Sequence, residues 1–415
     1  MRGCILKRRT IAFAVYLILT GAALLYSQGM EITGFGRSRL GAQTDNGALF
    51  INDHTLEAAF NWESDDAELH GLAAATSDGE GNSGFELKEL YVHLYGNFLD
   101  LRVGKQQVIW GKADGMFITD LVSPKNLTDF LTRDISELRL SVTGAKADFF
   151  LGSHRLELVY LPIFTPTLLP ASDSIWYAAK ELPVVLTMEE ASLPEPSLDN
   201  AEYFARYSWT GSIADIQLLG GWFWNDTPIP AIRDREITPG VGLTGITIRP
   251  EYYRSAFTGF AVSAPAGPLM LKAEAAANMH QRLSADIGVE PEGWREKNTI
   301  LYMAGAEGSL LGATVSVQAM QDIVLDYEES LSREELITTA TLAVSRLFFN
   351  ETVKSEILWY AGLNEMDSMI KPQLTWMPGN GFQAAAGGWF FLGDEGQFGQ
   401  YSDNNGIFMS ASYYF

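Results

Sequence analysis

The sequence has one cysteine, Cys4, among its 415 residues, and that residue precedes the first apolar run rather than following it. A thiol placed there is not a lipid-attachment site, and the chain left after removal of a leader has no cysteine. A disulfide framework, a thiolate metal site and a cysteine nucleophile are excluded together. Histidine is scarce too: His54, His70, His93, His154 and His280 are scattered, and none is spaced with a second ligand on the same short element. No second uninterrupted apolar stretch reaches the roughly 20 residues of a membrane helix, and a mean hydropathy near zero is too polar for a helical bundle in lipid. Basic residues are few, 29 against 51 acidic, for a net charge of −22, which argues against nucleic acid as a partner. There is no Gly-rich phosphate loop and no Ser elbow. Neither the His–Ser–Asn set of a barrel phospholipase nor the Asp–His pairs of a barrel protease stand out. The expectation is therefore no enzyme, no cofactor and no metal.

What is present begins with Arg2, Lys7, Arg8 and Arg9 ahead of the apolar run Ile11–Tyr26, which breaks at Ser27 and Gln28. This is the pattern of a secretory signal peptide, residues 1–27, leaving 28–415 as one domain. The small residue before the cut is Ser27, although Leu25 is larger than usual at the third position back. Losing four basic residues leaves 25 against 51, a balance of −26.

The rest of the chain alternates. A strand of a membrane barrel shows lipid an apolar residue at every second position and keeps small or polar residues between, because a charge facing lipid costs a few kcal/mol at mid-membrane. Ile216, Leu218, Trp222 and Trp224 share one face against Asp215, Gln217 and Gly221. Ala313, Val315, Val317 and Ala319 stand against Thr314, Ser316, Gln318 and Asp322. The same parity places Leu99, Leu101 and Val103 outward with Asp100, Arg102 and Gly104 inward, and Leu138, Leu140 and Val142 outward with Arg139, Ser141 and Thr143 inward.

Short joins near residues 61–65, 97–100, 151–153, 210–212, 264–268, 308–312, 349–351 and 378–381 alternate with longer polar connections, from 41–49 and 77–84 through 110–136, 162–200 and 225–250 to 393–405. Bacterial barrels alternate periplasmic turns and external loops in this way. The expectation is an all-β, antiparallel transmembrane barrel of about 18 strands, with about 16 as the alternative and both ends periplasmic. The last segment puts Ile407, Met409, Ala411, Tyr413 and Phe415 on one face and Ser410 and Ser412 on the other. A terminal aromatic after alternating apolar residues is similar to the signal read by outer-membrane assembly machinery, which makes Tyr413 and Phe415 the candidate assembly residues.

The stretch LRVGKQQVIWGKADGMFITDLVSPKNLTDFLTRD, Leu101–Asp134, followed by PIFTPTLLPA at Pro162–Ala171, resembles the DUF1302-like, porin-like outer-membrane proteins. Gly104, Gln106, Trp110-Gly111, Asp120, Ser123-Pro124 and Asp129-Phe130 carry the resemblance. Relatives tend to have Asn-Pro-x-Asp where this chain has Ser123 and Asn126. The resemblance implies outer-membrane residence and a transport-like role, with no single substrate.

The 110–136 connection is long enough to fold into the lumen and narrow it, which makes Asp114, Asp120, Lys125, Asp129 and Arg133 constriction candidates. The alternative is a loop packed on the rim. In 162–200, Leu168, Leu169, Ile175, Trp176 and Tyr177 need burial, as in a cap or plug. Arg102, Arg139, Arg155, Glu157, Asp215, Gln217 and Asp322 are the candidate lumen-lining residues. The acidic excess falls mostly in external loops, where it repels anions and attracts divalent cations. Asp78, Glu80, Asn82 and Glu89 have calcium-loop spacing, but Ser83 replaces the required glycine.

The expected function is passive or weakly selective uptake of small solutes through the lumen of an outer-membrane porin-like channel. The alternatives are a barrel that only anchors loops binding a partner or matrix, and a barrel enzyme. Expected partners are outer-membrane lipid, the assembly machinery and a small-molecule solute. Homo-oligomerisation stays open, since barrels of this size occur as monomers and trimers.

Overall fold

The computed structural model describes residues 29–113, 115–130, 132–177 and 184–415; the proposed leader and Asp114 lie outside the described residues. The strands are β1 (Met30–Gln43), β2 (Leu49–Glu63), β3 (Ala67–Asp78), β4 (Ser83–Leu94), β5 (Leu99–Gln106), β6 (Val142–Leu151), β7 (His154–Ile163), β8 (Val185–Met188), β9 (Glu202–Thr210) and β10 (Asp215–Trp224). They continue as β11 (Ile229–Thr238), β12 (Gly242–Glu251), β13 (Arg254–Ala266), β14 (Leu269–Ser284), β15 (Trp294–Leu310), β16 (Ala313–Val324), β17 (Leu336–Phe348), β18 (Val353–Gly362), β19 (Asp367–Gly379), β20 (Phe382–Leu392) and β21 (Gly406–Tyr414). Eighteen of them form one antiparallel sheet, and β1 pairs with both β2 and β21, from Phe35 opposite Tyr414 to Gln43 opposite Gly406, so the sheet closes. Closure removes the unpaired edge that lipid cannot solvate. Among the described residues no helix is long and apolar enough to cross a membrane.

The eight short joins fall where the sequence places them, and the 18-strand count stands. Alternation sets the faces: Val317 and Ala319 point out while Gln318 is buried inside, and Leu218 and Trp222 point out against inward Leu219 and Phe223. Outward Trp62, Trp376, Phe382 and Tyr413 cluster near the short-turn end of the wall, as in an interfacial aromatic girdle. Phe415 is exposed and closes the seam by exchanging backbone hydrogen bonds with Gly34, 3.0 Å in each direction.

Three expectations are corrected. The parity over Leu138–Thr143 is reversed: β6 begins only at Val142, which points inward with Gly144, Lys146 and Asp148, while Leu138 is buried at the end of a short 3-10 turn. Arg139 therefore sits in the preceding loop and not on the wall. The connections at 41–49 and 77–84 shorten to 44–48 and 79–82, because the strands run on past the polar residues. The calcium spacing does not gather ligands: Asp78 caps the 79–82 turn through the N–H groups of Glu80 and Asn82 (3.0 and 2.8 Å), and Glu89 faces the lumen 3.3 Å from His70.

The connections 164–201 and 225–253 add a second, three-stranded sheet, with β12 between antiparallel β11 and parallel β8.

Candidate functional site

The connection between β5 and β6, residues 107–141, leaves the rim and folds into the barrel. The driving force is its own apolar content: Val108, Trp110, Met116, Ile118 and Val122 are buried against inward Val159, Leu161, Phe204, Leu219, Phe223, Phe257 and Met303. These wall residues break the polar-inside rule, and the loop is what covers them.

Polar anchors fix the loop across the lumen. Glu274 on β14, 1% exposed, accepts the N–H groups of Lys112, Ala113 (2.7 Å) and Thr119 (3.3 Å) and the Thr119 hydroxyl (2.8 Å). Glu157 on β7 accepts the Trp110 indole N–H at 2.5 Å and pairs with Arg206 of β9 at 2.8 Å. Tyr360 on β18 donates to the Gly115 carbonyl at 3.0 Å. Gly115 has φ +84°, and a Cβ there would lie 2.6 Å from the Tyr360 hydroxyl, so both backbone conformation and space require glycine. On the far side Arg37 of β1 donates to Glu137 at 2.6 and 3.1 Å, and Lys371 of β19 donates to the Arg133 carbonyl at 2.9 Å, with Asp134 3.7 Å away.

A second aromatic cluster seals another sector. Trp176 of the 164–201 loop packs with Tyr360, Met369, Trp389, Phe391, Phe398 and Tyr401, with Phe130 against it. Of the apolar residues expected to need burial in that loop only Trp176 is buried; Leu168, Leu169, Ile175 and Tyr177 stay exposed.

What stays open runs beside β1–β4 and β15–β21. A cavity of about 610 Å³ on the long-loop side is lined by β1–β4 and the loop. It shares Arg37, Arg39, Arg133 and Glu137 with a neck of about 60 Å³. The neck in turn shares Asp134, Lys371 and Gln373 with a cavity of about 320 Å³ toward the short turns. Six ionisable side chains line the neck, the basic Arg37, Arg39, Arg133 and Lys371 and the acidic Asp134 and Glu137; Trp389 and Phe408 form an apolar side. Despite the acidic chain, this neck has more basic than acidic side chains. Burial pushes the Glu137 carboxyl up, but the hydrogen bonds and charge of Arg37 outweigh it and hold the group below the usual carboxylate range.

Of the constriction candidates, Arg133 lines both the neck and the larger cavity. Asp120 is buried inside the loop, accepting the Trp110 N–H (3.0 Å) and Arg139 Nε (2.7 Å), with Lys125 at 3.8 Å. Burial lowers the Lys125 ammonium pKa in spite of that partner. Asp129 pairs with Arg133 at 2.6 Å. These residues hold the loop together. Of the lining candidates, Arg139 lines the larger cavity, but from the loop. Arg155 and Glu157 share an inward network with Lys146, Asp148 and Arg206; Arg102 lies over the Tyr91 ring; Asp322 pairs with Arg333; Asp215 and Gln217 are half-buried on β10. None of these six lines the linked cavities. The residues missed were Arg37, Arg39, Glu137, Glu274 and Lys371. Arg37 and Arg39 carry a signal, two cations of one parity in an early strand; the others carry none, because their partners are distant in sequence.

The family model "Protein of unknown function (DUF1302)" matches residues 42–175, the segment that supplies β2–β7 and the inserted loop. No curated protein matches the chain. Among solved structures, OccK8 (OprE) of Pseudomonas aeruginosa is similar at 11% identity and a TM-score of 0.55, over 93% of this chain and 98% of that one. OccK2 (OpdF) of the same organism, solved in complex with glucuronate, gives the same four values. OccAB2 of Acinetobacter baumannii is 9% identical with a TM-score of 0.55 over the same shares. At such identities the likeness is one of fold. The chain folds as a closed 18-strand antiparallel β-barrel like that of these structures, and its residues 42–175 carry the DUF1302 match.

Proposed function

We propose that the protein is a passive outer-membrane channel for small solutes, and that its neck favours anions. The carrying observation is the string of linked cavities past the inserted loop, with the neck lined by four cations against two carboxylates. A charge acts most strongly where the path is narrow and the surroundings exclude water, so the neck, and not the acidic loops, sets the preference. In this reading residues 1–27 are a cleaved export signal, 28–415 the mature barrel, and Tyr413 and Phe415 the mark read by the assembly machinery. The mature chain, refolded into a planar bilayer under a salt gradient, should give discrete current steps with a reversal potential of anion sign. A folded, heat-modifiable barrel without conductance overturns the channel. Such a result favours the anchor reading, which rests on the ordered β8–β12–β11 sheet with its exposed Val185, Met188, Ile237 and Val241.

A further inference from the structure

The four cations of the neck are not held alike. Arg39 is gripped by Asp53 of the adjacent strand at 3.0 and 2.6 Å, and Arg133 by Asp129 within the same loop at 2.7 and 2.6 Å. Arg37 and Lys371 stand on the wall, and the carboxylates that face them, Glu137 and Asp134, both belong to one arm of the inserted loop, residues 132–137, whose Arg133 carbonyl also accepts from Lys371 at 2.9 Å. Neither cation is saturated. Among the described residues the Nε of Arg37 is buried without a partner, and the Lys371 ammonium is buried while Asp134 is mostly exposed.

The neck between the two cavities measures about 60 Å³, room for a few waters. A solute that passes between the two cavities here meets the arm, which on this side is held to two wall cations by two carboxylates and, at Lys371, also by the Arg133 carbonyl. A solute carrying two carboxylates replaces both contacts in kind. A monoanion leaves one buried cation bare, and a neutral solute leaves two, which is the costly way to break a buried pair.

We infer that Arg37 and Lys371 form a dicarboxylate site which Glu137 and Asp134 of the arm occupy until a solute displaces them. This rests on the channel reading for its purpose, but not for its test. Succinate, butyrate and succinamide are titrated calorimetrically into the detergent-folded barrel. Succinate should bind about tenfold or more tighter than butyrate, as a second charge-assisted contact requires, with no binding of succinamide. Lys371→Gln and Arg37→Gln should each bring succinate to the butyrate level, and Glu137→Gln, which weakens a competitor, should tighten it. Equal affinity for succinate and butyrate overturns the site. Should the two cation variants fail to fold, unchanged succinate affinity in folded Glu137→Gln overturns it as well. Ion conductance without succinate binding removes the dicarboxylate site and leaves the channel; succinate binding to a non-conducting barrel does the reverse.

Discussion

Glu274→Ala tests whether the inserted loop is held by a wall carboxylate. In the native barrel this buried side chain accepts four donors from the loop: three backbone N–H groups and the Thr119 hydroxyl. Each buried donor left without a partner costs about 1–3 kcal/mol. If lumenal water rescues half of them, the inserted state loses about 2–6 kcal/mol. Near 3 kcal/mol the released population rises about a hundredfold. The closed 18-strand ladder is untouched, so the barrel stays heat-modifiable. Single-channel conductance should rise, and liposome swelling should admit larger neutral sugars than the wild type does. An unchanged conductance and size limit in folded Glu274→Ala would refute the anchoring role and place the hold on the loop in the Trp110 cluster and the other wall anchors, Glu157, Tyr360, Arg37 and Lys371.

Other expectations follow from the same contacts. Because Arg37 depresses the Glu137 carboxyl below its ordinary 4.5, that carboxyl stabilises the arm above this value and loses its effect as pH falls through the depressed one. Conductance should therefore rise in the wild type as the pH falls from above 4.5 through the depressed value, with the step absent from Glu137→Gln. Trp176→Ala removes a buried indole from the second aromatic cluster, costing about 3–5 kcal/mol of loop packing, and limited proteolysis should then nick the 164–201 loop while sparing the barrel. Gly115→Ala forces a Cβ against the Tyr360 hydroxyl and should reproduce the wider size limit of Glu274→Ala. Phe415→Ala leaves the terminal backbone pairing with Gly34 in place, so refolding in detergent should be unchanged while assembly in cells falls; equal assembly would end the signal reading.

The sequence by itself determined the barrel. A side-chain period of two is local, and lipid enforces it on the outer face, so strands, short joins and count could be read from alternation at Val315–Ala319 or Ile407–Tyr413 without knowing any partner. It misled where the inner face departs from polarity: Leu219, Phe223 and Phe257 look like faults in the pattern until the loop that covers them is in place. The same cause reversed the parity before β6, since Leu138 is buried by the inserted loop and not turned to lipid. That residues 110–136 are a loop with charged candidates was legible; which charges line the neck was not. Asp120 and Lys125 are spent inside the loop, whereas Arg37 and Lys371, far apart in sequence, become neighbours of one neck only when β21 closes on β1 and the arm crosses to meet them. Alternation is written residue by residue, but a constriction is a relation between distant segments, and the closed tertiary structure alone sets its distances.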